Sequence, residues 1–123
     1  MTKAFEMILA VDIGTTSMKM GVFRVVDGAL ELVRQFSQEY KVNIYNKGLF
    51  GDIEQEKWDN AFAEGCKAMQ DIVGDIDAIS LSGTTPGFTV MDKNGNALYP
   101  AILMLDQRSM AQGSIVGVTE RSL

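Results

Sequence analysis

The chain has 123 residues, enough for a domain with a real core, and its 46% apolar and 22% charged residues place it among globular rather than disordered proteins. Its net charge of −5 argues against nucleic acid or an anionic membrane as partner, since both call for clustered Lys and Arg. One cysteine, Cys66, and no histidine exclude an internal disulfide, a Cys/His zinc site and any Ser-His-Asp or Cys-His catalytic set within this chain, which leaves a hard ion such as Mg²⁺ on oxygen ligands as the kind of metal it suits.

"EMILAVDIG" opens the pattern as a near-continuous apolar run, read as a central strand covered on both faces. The polar stretch "DIGTTSMK" follows at residues 12–19. "SMKMGVFRVV" (17–26) alternates, with Met18, Met20 and Val22 pointing one way and Lys19 and Gly21 the other. Asp27-Gly28 is a hairpin signal, and "ALELVRQFSQEY" (29–40) then reads as a third strand with Leu30, Leu32, Val33 and Phe36 inward. Residues 41–52 show no period and are expected to be a loop. The clearest helix is 53–73, where Trp58, Phe62, Cys66, Met69 and Val73 recur at steps of three and four. Asp52 suits its N-cap, Gln55 completes a capping box, and Gly74 suits its stop. "DIDAISLSG" (75–83) is a fourth strand and "TTPG" (84–87) a turn. "FTVMDKNGNALY" (88–99) is a hairpin around Asn94 and Gly95, and "PAILMLDQRS" (100–109) a further strand. The tail has weak patterning that could begin a helix. A meander followed by a helical crossover predicts an α/β fold on a mixed sheet.

Three apolar strands end in polar groups: Asp12 with Gly14–Thr16, Ser82–Thr85, and Asp106 with Arg108. Strand ends that simply exit into solvated turns explain any one of them. Three together point to a ligand edge, if the strands share a sheet with parallel members. In "DIGTTSMK" the chemistry can be stated. Asp12 can hold Mg²⁺, directly or through water. Gly14 permits close backbone approach to an anion. Thr15, Thr16 and Ser17 offer hydroxyls and N–H donors, and Lys19 a positive charge. The stretch lacks the G-x-x-x-x-G-K-[ST] pattern of a Walker A loop. The plainer role for Asp52 is a helix cap, and for Cys66 a small buried hydrophobe.

Three segments, "ILAVDIGTTSMKMGVF", "LFGDIEQEKW" and "AISLSGTTPGFTVMDKNGNALYPAILMLDQRS", resemble in order and spacing the N-terminal portion of the FGGY carbohydrate kinases, over roughly residues 7–109. That family includes xylulokinase, gluconate kinase and glycerol kinase. The resemblance implies a ribonuclease H-like (actin-like ATPase) fold, with ATP and Mg²⁺ bound in a cleft between two domains and a sugar or polyol hydroxyl as phosphoryl acceptor. It implies that Asp12 lies near Mg²⁺ and the phosphates, and that Gly14, Thr15, Thr16, Ser17 and Lys19 belong to the phosphate grip. Thr84, Thr85 and Pro86 match the loop that contacts substrate, which reads Gln-Met-His in xylulokinase and Gln-Arg-Glu in glycerol kinase. Asp106 and Arg108 match a D-x-R after the last strand, and Asp52 is the acidic member of a segment that in the family reads Trp-x-Glu. Met104 stands where a tryptophan is usual. Family members are several times longer, and their catalytic base is an aspartate in a later Gly-rich stretch.

Residues 1–123 are therefore expected to form the N-terminal part of the first actin-like domain of a cytoplasmic sugar kinase, inactive alone. Apolar surface left bare where further chain packs would favour a homo-oligomer. Two other readings compete: the nucleotide-binding part of another actin/Hsp70-fold ATPase, and a non-catalytic interaction domain. A ribonuclease H-type nuclease is disfavoured by the acidic charge.

Overall fold

A computed structural model describes residues 6–85 and 87–116. They fall into two compact units, one of residues through Lys41 with Gln55–Thr84, the other of Val42–Glu54 with the residues from Thr85 onward.

The first unit is the predicted meander and crossover. Strands β1 (Met7–Ile13), β2 (Ser17–Val26) and β3 (Ala29–Glu39) run antiparallel, and β6 (Ala78–Gly83) pairs parallel with β1, giving the order β3-β2-β1-β6. The tight link between β2 and β3 works because Asp27 and Gly28 both take positive φ, at 49° and 79°, which matches the twist of the strands they join. Asp77, just before β6, fixes the start of β1: its Oδ2 accepts from the Glu6 and Met7 N–H groups, each at 3.0 Å.

Helix α1 (Gln55–Ala68) covers one face of this sheet. Leu9, Val11, Met18, Met20 and Val22 meet Ala61 and Met69 there, with Trp58, Cys66 and Phe36 packed alongside. Gly65 lets the helix approach closely, since a Cβ there would lie 2.2 Å from the Met20 sulfur. The predicted inward side of β2 is borne out at Met18, Met20 and Val22.

Several expectations are corrected. Leu30 and Leu32 are exposed, whereas Val33 and Phe36 pack on the core. The cause is a bulge: Val22 pairs with Arg34 but Phe23 with Leu32, so Val33 is an extra residue and the alternation flips across it. The helix does not run from 53 to 73. It ends at Ala68, and the chain tightens through i→i−3 bonds such as Ile72 N–H to Met69 O into a 3₁₀ turn at Val73–Asp75. Gly74 therefore sits inside that turn and stops nothing in α1. Phe62 and Val73 fall on exposed borders of the apolar stripe. The central strand is covered on one face only, because Ile8 and Ala10 are half-buried and Asp12 is exposed on the other.

The second unit is an antiparallel sheet, β4-β5-β8-β7, that the sequence reading did not foresee. β4 (Asn43–Tyr45) and β5 (Phe50–Ile53) form a hairpin in the segment expected to be a loop. Its turn places Asn46, Lys47 and Gly48 at φ 52°, 57° and 83°. Asp52 is thus a strand residue of β5, two places short of the helix cap it was expected to be. β7 (Phe88–Met91) and β8 (Ala97–Ile102) make the predicted second hairpin. Asp92 closes it by accepting the Asn94 and Asn96 N–H groups at 2.8 and 2.9 Å, and there only Gly95, not Asn94, takes a positive φ. Pro100 lies within β8, so the expected separate strand at 100–109 is instead the end of this one strand followed by turns. α2 (Met110–Val116) is the helix that the tail suggested. Among the described residues no helix is long and apolar enough to cross a membrane.

Candidate functional site

Two polar regions carry the candidate residues, one in each unit. In the first, the parallel pairing of β1 and β6 brings two of the three polar strand ends side by side. Asp12 lies opposite Ser82 on one flank and Lys19 on the other, and Lys19 lies opposite Ser37. These four residues form a polar row across the sheet face away from α1. The next row is Ser80, Ala10, Gly21 and Gln35, and the one after it Ala78, Ile8, Phe23 and Leu32. The face thus grades from charged at the strand ends to apolar at the strand starts. A shallow cleft of about 340 Å³ lies over it, with Asp12, Lys19 and Ser82 at one end and Phe23 and Leu32 at the other.

Beyond Ile13 the chain makes a tight turn, closed by the Gly14 N–H to Ser17 O bond at 2.9 Å. Only glycine fits: a Cβ on Gly14 would lie 2.7 Å from the Ser17 carbonyl oxygen. The exit of β6 is tied to this turn twice. The Thr84 N–H donates to Ile13 O at 2.8 Å, and the Thr15 and Thr84 hydroxyls share a bond of 2.9 Å. Tyr40, at the end of β3, donates its hydroxyl to Gly14 O and its N–H to Thr16 O. Burial, with a smaller push from the Asp12 charge, raises the Tyr40 hydroxyl pKa. The side chains of Asp12, Thr16, Ser17 and Lys19 have no hydrogen-bond or ion-pair partner among the described residues, and Asp12, Thr16 and Lys19 are exposed.

The second unit contrasts with this. Asp52, Asp106 and Arg108 form one network with side-chain exposures of only 3%, 2% and 16%. Arg108 Nε and Nη2 grip Asp106 at 2.8 and 2.6 Å, Nη2 also reaches Asp52 at 2.8 Å, and Nη1 donates to the Tyr99 hydroxyl at 2.9 Å. The guanidinium lies 4.5 Å from the Phe50 ring centroid. Asp52 also accepts from the Tyr45 hydroxyl at 2.6 Å and from Asn43 Nδ2 at 3.1 Å, and Asp106 from the Gly51 N–H at 2.7 Å. The Arg108 hydrogen bonds hold the Asp106 carboxyl down at about 2. Burial pushes Asp52 up, but bonds from Tyr45, Arg108 and Asn43 together outweigh it and hold the group below the usual carboxylate range. The Asp52 bond raises the Tyr45 hydroxyl, and the two carboxylates raise Arg108 further. One side of Arg108 borders a cleft of about 210 Å³ lined by Phe88, Met104 and Ser109.

The third polar strand end, Asp106 with Arg108, therefore belongs to a different sheet from Asp12 and Ser82. Thr85 is exposed at the start of the second unit, and Pro86 lies outside the described residues. The sequence reading missed Tyr40, Tyr45, Asn43 and Tyr99. For Tyr45 and Asn43 the available signal was Asn46-Lys47-Gly48, a turn that makes a hairpin of its flanks. Tyr40 and Tyr99 are marked by no local pattern. Among the described residues no three acidic, cysteine or histidine side chains gather as a metal cage. Asp12 alone, with water and phosphate oxygens, still suits Mg²⁺, which keeps several such ligands.

The model of the FGGY family of carbohydrate kinases, N-terminal domain, matches residues 7–116. The xylulose kinase of Staphylococcus xylosus is 32% identical over 104 residues, which cover 83% of this chain and 21% of that protein. The chain thus spans about a fifth of the length of this curated relative. Among solved structures, the gluconate kinase from Lactobacillus acidophilus superposes with a TM-score of 0.74 at 22% identity, covering 97% of this chain and 23% of that one. The Plasmodium falciparum glycerol kinase with ADP gives a TM-score of 0.78 at 15% identity, covering 98% and 25%. These likenesses establish the actin-like ATPase fold.

Proposed function

The chain belongs to the FGGY family of carbohydrate kinases, and we propose that it is the N-terminal part of the first actin-like domain of an ATP-dependent kinase acting on a hydroxyl of a sugar, sugar acid or polyol. The observation that carries this reading is the strand-end region of the first unit. It gathers a carboxylate, an ammonium and hydroxyls that have no side-chain partner among the described residues, with a glycine turn, at the ends of two parallel strands, where such sheets bind ligands. Asp12 would hold Mg²⁺. Gly14 would let the backbone come close to the phosphates, Thr15, Thr16 and Ser17 would receive phosphate oxygens through N–H and hydroxyl groups, and Lys19 would neutralise charge. The bound metal supplies charge neutralisation on the transferring phosphoryl group.

On the substrate side, Thr84, Thr85 and Pro86 are the candidate contacts. Thr84 is already committed to Ile13 and Thr15, which leaves the exposed Thr85 as the freer hydroxyl. Asp52, Asp106 and Arg108 would shape this side as a saturated network bordering the cleft at Phe88 and Met104. Relatives named for xylulose, gluconate and glycerol share the fold, so the fold does not select the sugar.

A base for the sugar hydroxyl and a wall that excludes water are expected from chain beyond Leu123, and the 123 residues alone are proposed to be inactive. Two features of the first unit agree. Ile79 and Leu81 stand beside Leu9 and Val11 on the α1 side of the sheet, yet α1 leaves them 58% and 68% exposed. Leu30 and Leu32 are exposed on the opposite face. Such surface favours self-association of the isolated chain. A cytoplasmic location is part of the same reading.

The test is twofold. Titration of the ¹⁵N-labelled chain with Mg-ATP is expected to shift the amides of residues 12–19 and 84 and leave β7 and β8 unmoved. ADP formation is then followed with Mg-ATP and a panel of pentoses, hexonates and polyols. Sugar-dependent turnover above background would overturn the inactivity. Shifts confined to the second unit would overturn the assignment of the phosphate grip.

A further inference from the structure

The turn between β1 and β2 is asymmetric in its hydrogen bonding. Four of its carbonyls are taken, whereas two of its amides are open. Ile13 O accepts from the Thr84 N–H at 2.8 Å, Thr16 O from the Tyr40 N–H at 2.9 Å, and Ser17 O from the Gly14 N–H at 2.9 Å. Gly14 O accepts from the Tyr40 hydroxyl. The Thr15 and Thr16 N–H groups donate to no described residue. Tyr40 supplies two of these four donors from the end of β3, where its ring packs half-buried against the core of the first unit.

The planar peptide makes this arrangement directional. The Gly14 carbonyl and the Thr15 N–H belong to one trans unit and point opposite ways. A hydroxyl that holds the carbonyl towards the packed Tyr40 side chain turns the Thr15 N–H away from it. Gly14 has no Cβ to resist rotation of that peptide, and the Tyr40 hydroxyl is the group that holds its carbonyl directly. With the bond removed, the peptide is free to present its carbonyl, an acceptor that repels an anion.

We propose that Tyr40 is a positioning residue of this turn, whose hydroxyl locks the Gly14–Thr15 peptide with its N–H available to a phosphate oxygen. Tyr40 does not touch the ligand. The proposal rests on the reading of the turn as a phosphate grip, and its test separates the two.

Tyr40→Phe removes the hydroxyl and keeps both the ring and the backbone N–H to Thr16. The ¹⁵N-labelled chain is titrated with Mg-ATP, and separately with inorganic phosphate, following the Thr15 and Thr16 amides. The variant is expected to bind about 3- to 10-fold more weakly, the range for one lost hydrogen bond, with the Leu9 and Met20 resonances in place. Val33→Ala is the control: it loosens β3 packing away from the turn and is expected to leave the affinity unchanged. Equal affinity in wild type and Tyr40→Phe, or an equal loss in Val33→Ala, overturns the proposal. If wild type shows no saturable shift with either probe, the phosphate reading fails by itself. The lock is then judged on the free chain by backbone order parameters at Gly14 and Thr15. Lower values in Tyr40→Phe support it, and unchanged values overturn it.

Discussion

Asp12 and Asp52 are both aspartates near the ends of strands, and the molecule treats them in opposite ways. Asp12 is exposed and has no partner among the described residues, and the same holds for the side chains of Lys19, Thr16 and Ser17 beside it. Asp52 is buried and accepts from Tyr45, Asn43 and Arg108. A ligand grip must leave its polar groups unsatisfied until the ligand arrives, so it has to sit where water can serve them. A staple saturates its groups and can therefore be buried. The Arg108 network is of the second kind. It ties β4, β5, β8 and the turn after β8 through one guanidinium, and each of that group's nitrogens has a partner. The D-x-R residues are thus saturated, whereas Asp12 and Thr16 of the Asp-x-Gly-Thr-Thr stretch keep side chains with no partner among the described residues.

The largest effect is expected from breaking the staple. Arg108→Leu leaves two buried carboxylates without their shared cation, and the cost is about 3–5 kcal/mol. Amide exchange at β5 and β8 reads it directly, with faster exchange there and little change in β1 and β2. A loss under about 1 kcal/mol would mean that Arg108 is spare for a ligand and that the contrast is wrong. Asp12→Asn is the mirror experiment. It is expected to change stability by no more than about 0.5 kcal/mol, as for an exposed group outside any network, while abolishing the Mg-ATP shifts at residues 12–19. A strongly destabilised Asp12→Asn would put Asp12 in the staple class.

Acid sharpens the same comparison. Asp106 is held at about 2 and Asp52 is held below the usual carboxylate range, so both folded-state pKa values lie below those of the unfolded chain. Groups depressed in this way contribute stability above the unfolded value near ~3.9, which is lost as pH falls through the folded value. The second unit is therefore expected to keep its network from neutrality down to about pH 4 and to lose it between about pH 4 and pH 2. Amide shifts of Gly51 and Arg108, whose N–H groups donate to Asp106, report this. Loss of those bonds near pH 5 would contradict the coupling. In Arg108→Leu the transition is expected to move to higher pH.

The sequence revealed what local pattern controls. β1, β2, the Asp27-Gly28 turn and the second hairpin follow from alternation and from residues that tolerate positive φ. The parallel β1–β6 pair, and with it the meeting of Asp12 and Ser82, follows from a helical crossover. Other features depend on contacts that no window spans. Leu30 and Leu32 share parity with Phe36, and only the extra residue Val33 separates their faces. The apolar spacing of α1 continues through Met69, Ile72 and Ile76, which pack on the core from a tightened turn and so look helical in sequence. Asp52 reads as a cap because Gln55 and a helix follow it. Its partner Arg108 lies 56 residues away, and a three-residue strand such as β4 has too few positions to display alternation. Tyr40 was invisible as a turn residue because its bonding partner, Gly14, is 26 residues upstream.

The smallest effect expected is also the finest probe of how open the strand-end region is. The Thr15 and Thr84 hydroxyls satisfy each other and so tie the turn to the β6 exit through their side chains. Thr84→Val keeps the branched shape and the backbone bond to Ile13, and it removes a single neutral hydrogen bond. The Thr15 hydroxyl is half-buried and can turn to water, so the loss should stay within about 0.5–1.5 kcal/mol. Urea unfolding followed by Trp58, the sole tryptophan and a residue of the first unit, measures it. A staple residue would cost several times more, since its partner would be a stranded charge. Mg-ATP affinity supplies the second axis. If Thr84 only ties the β6 exit to the turn, Thr84→Val should weaken binding less than Tyr40→Phe, because the Gly14–Thr15 peptide stays locked. A larger effect from Thr84→Val would move the lock from Tyr40 to the Thr15–Thr84 pair.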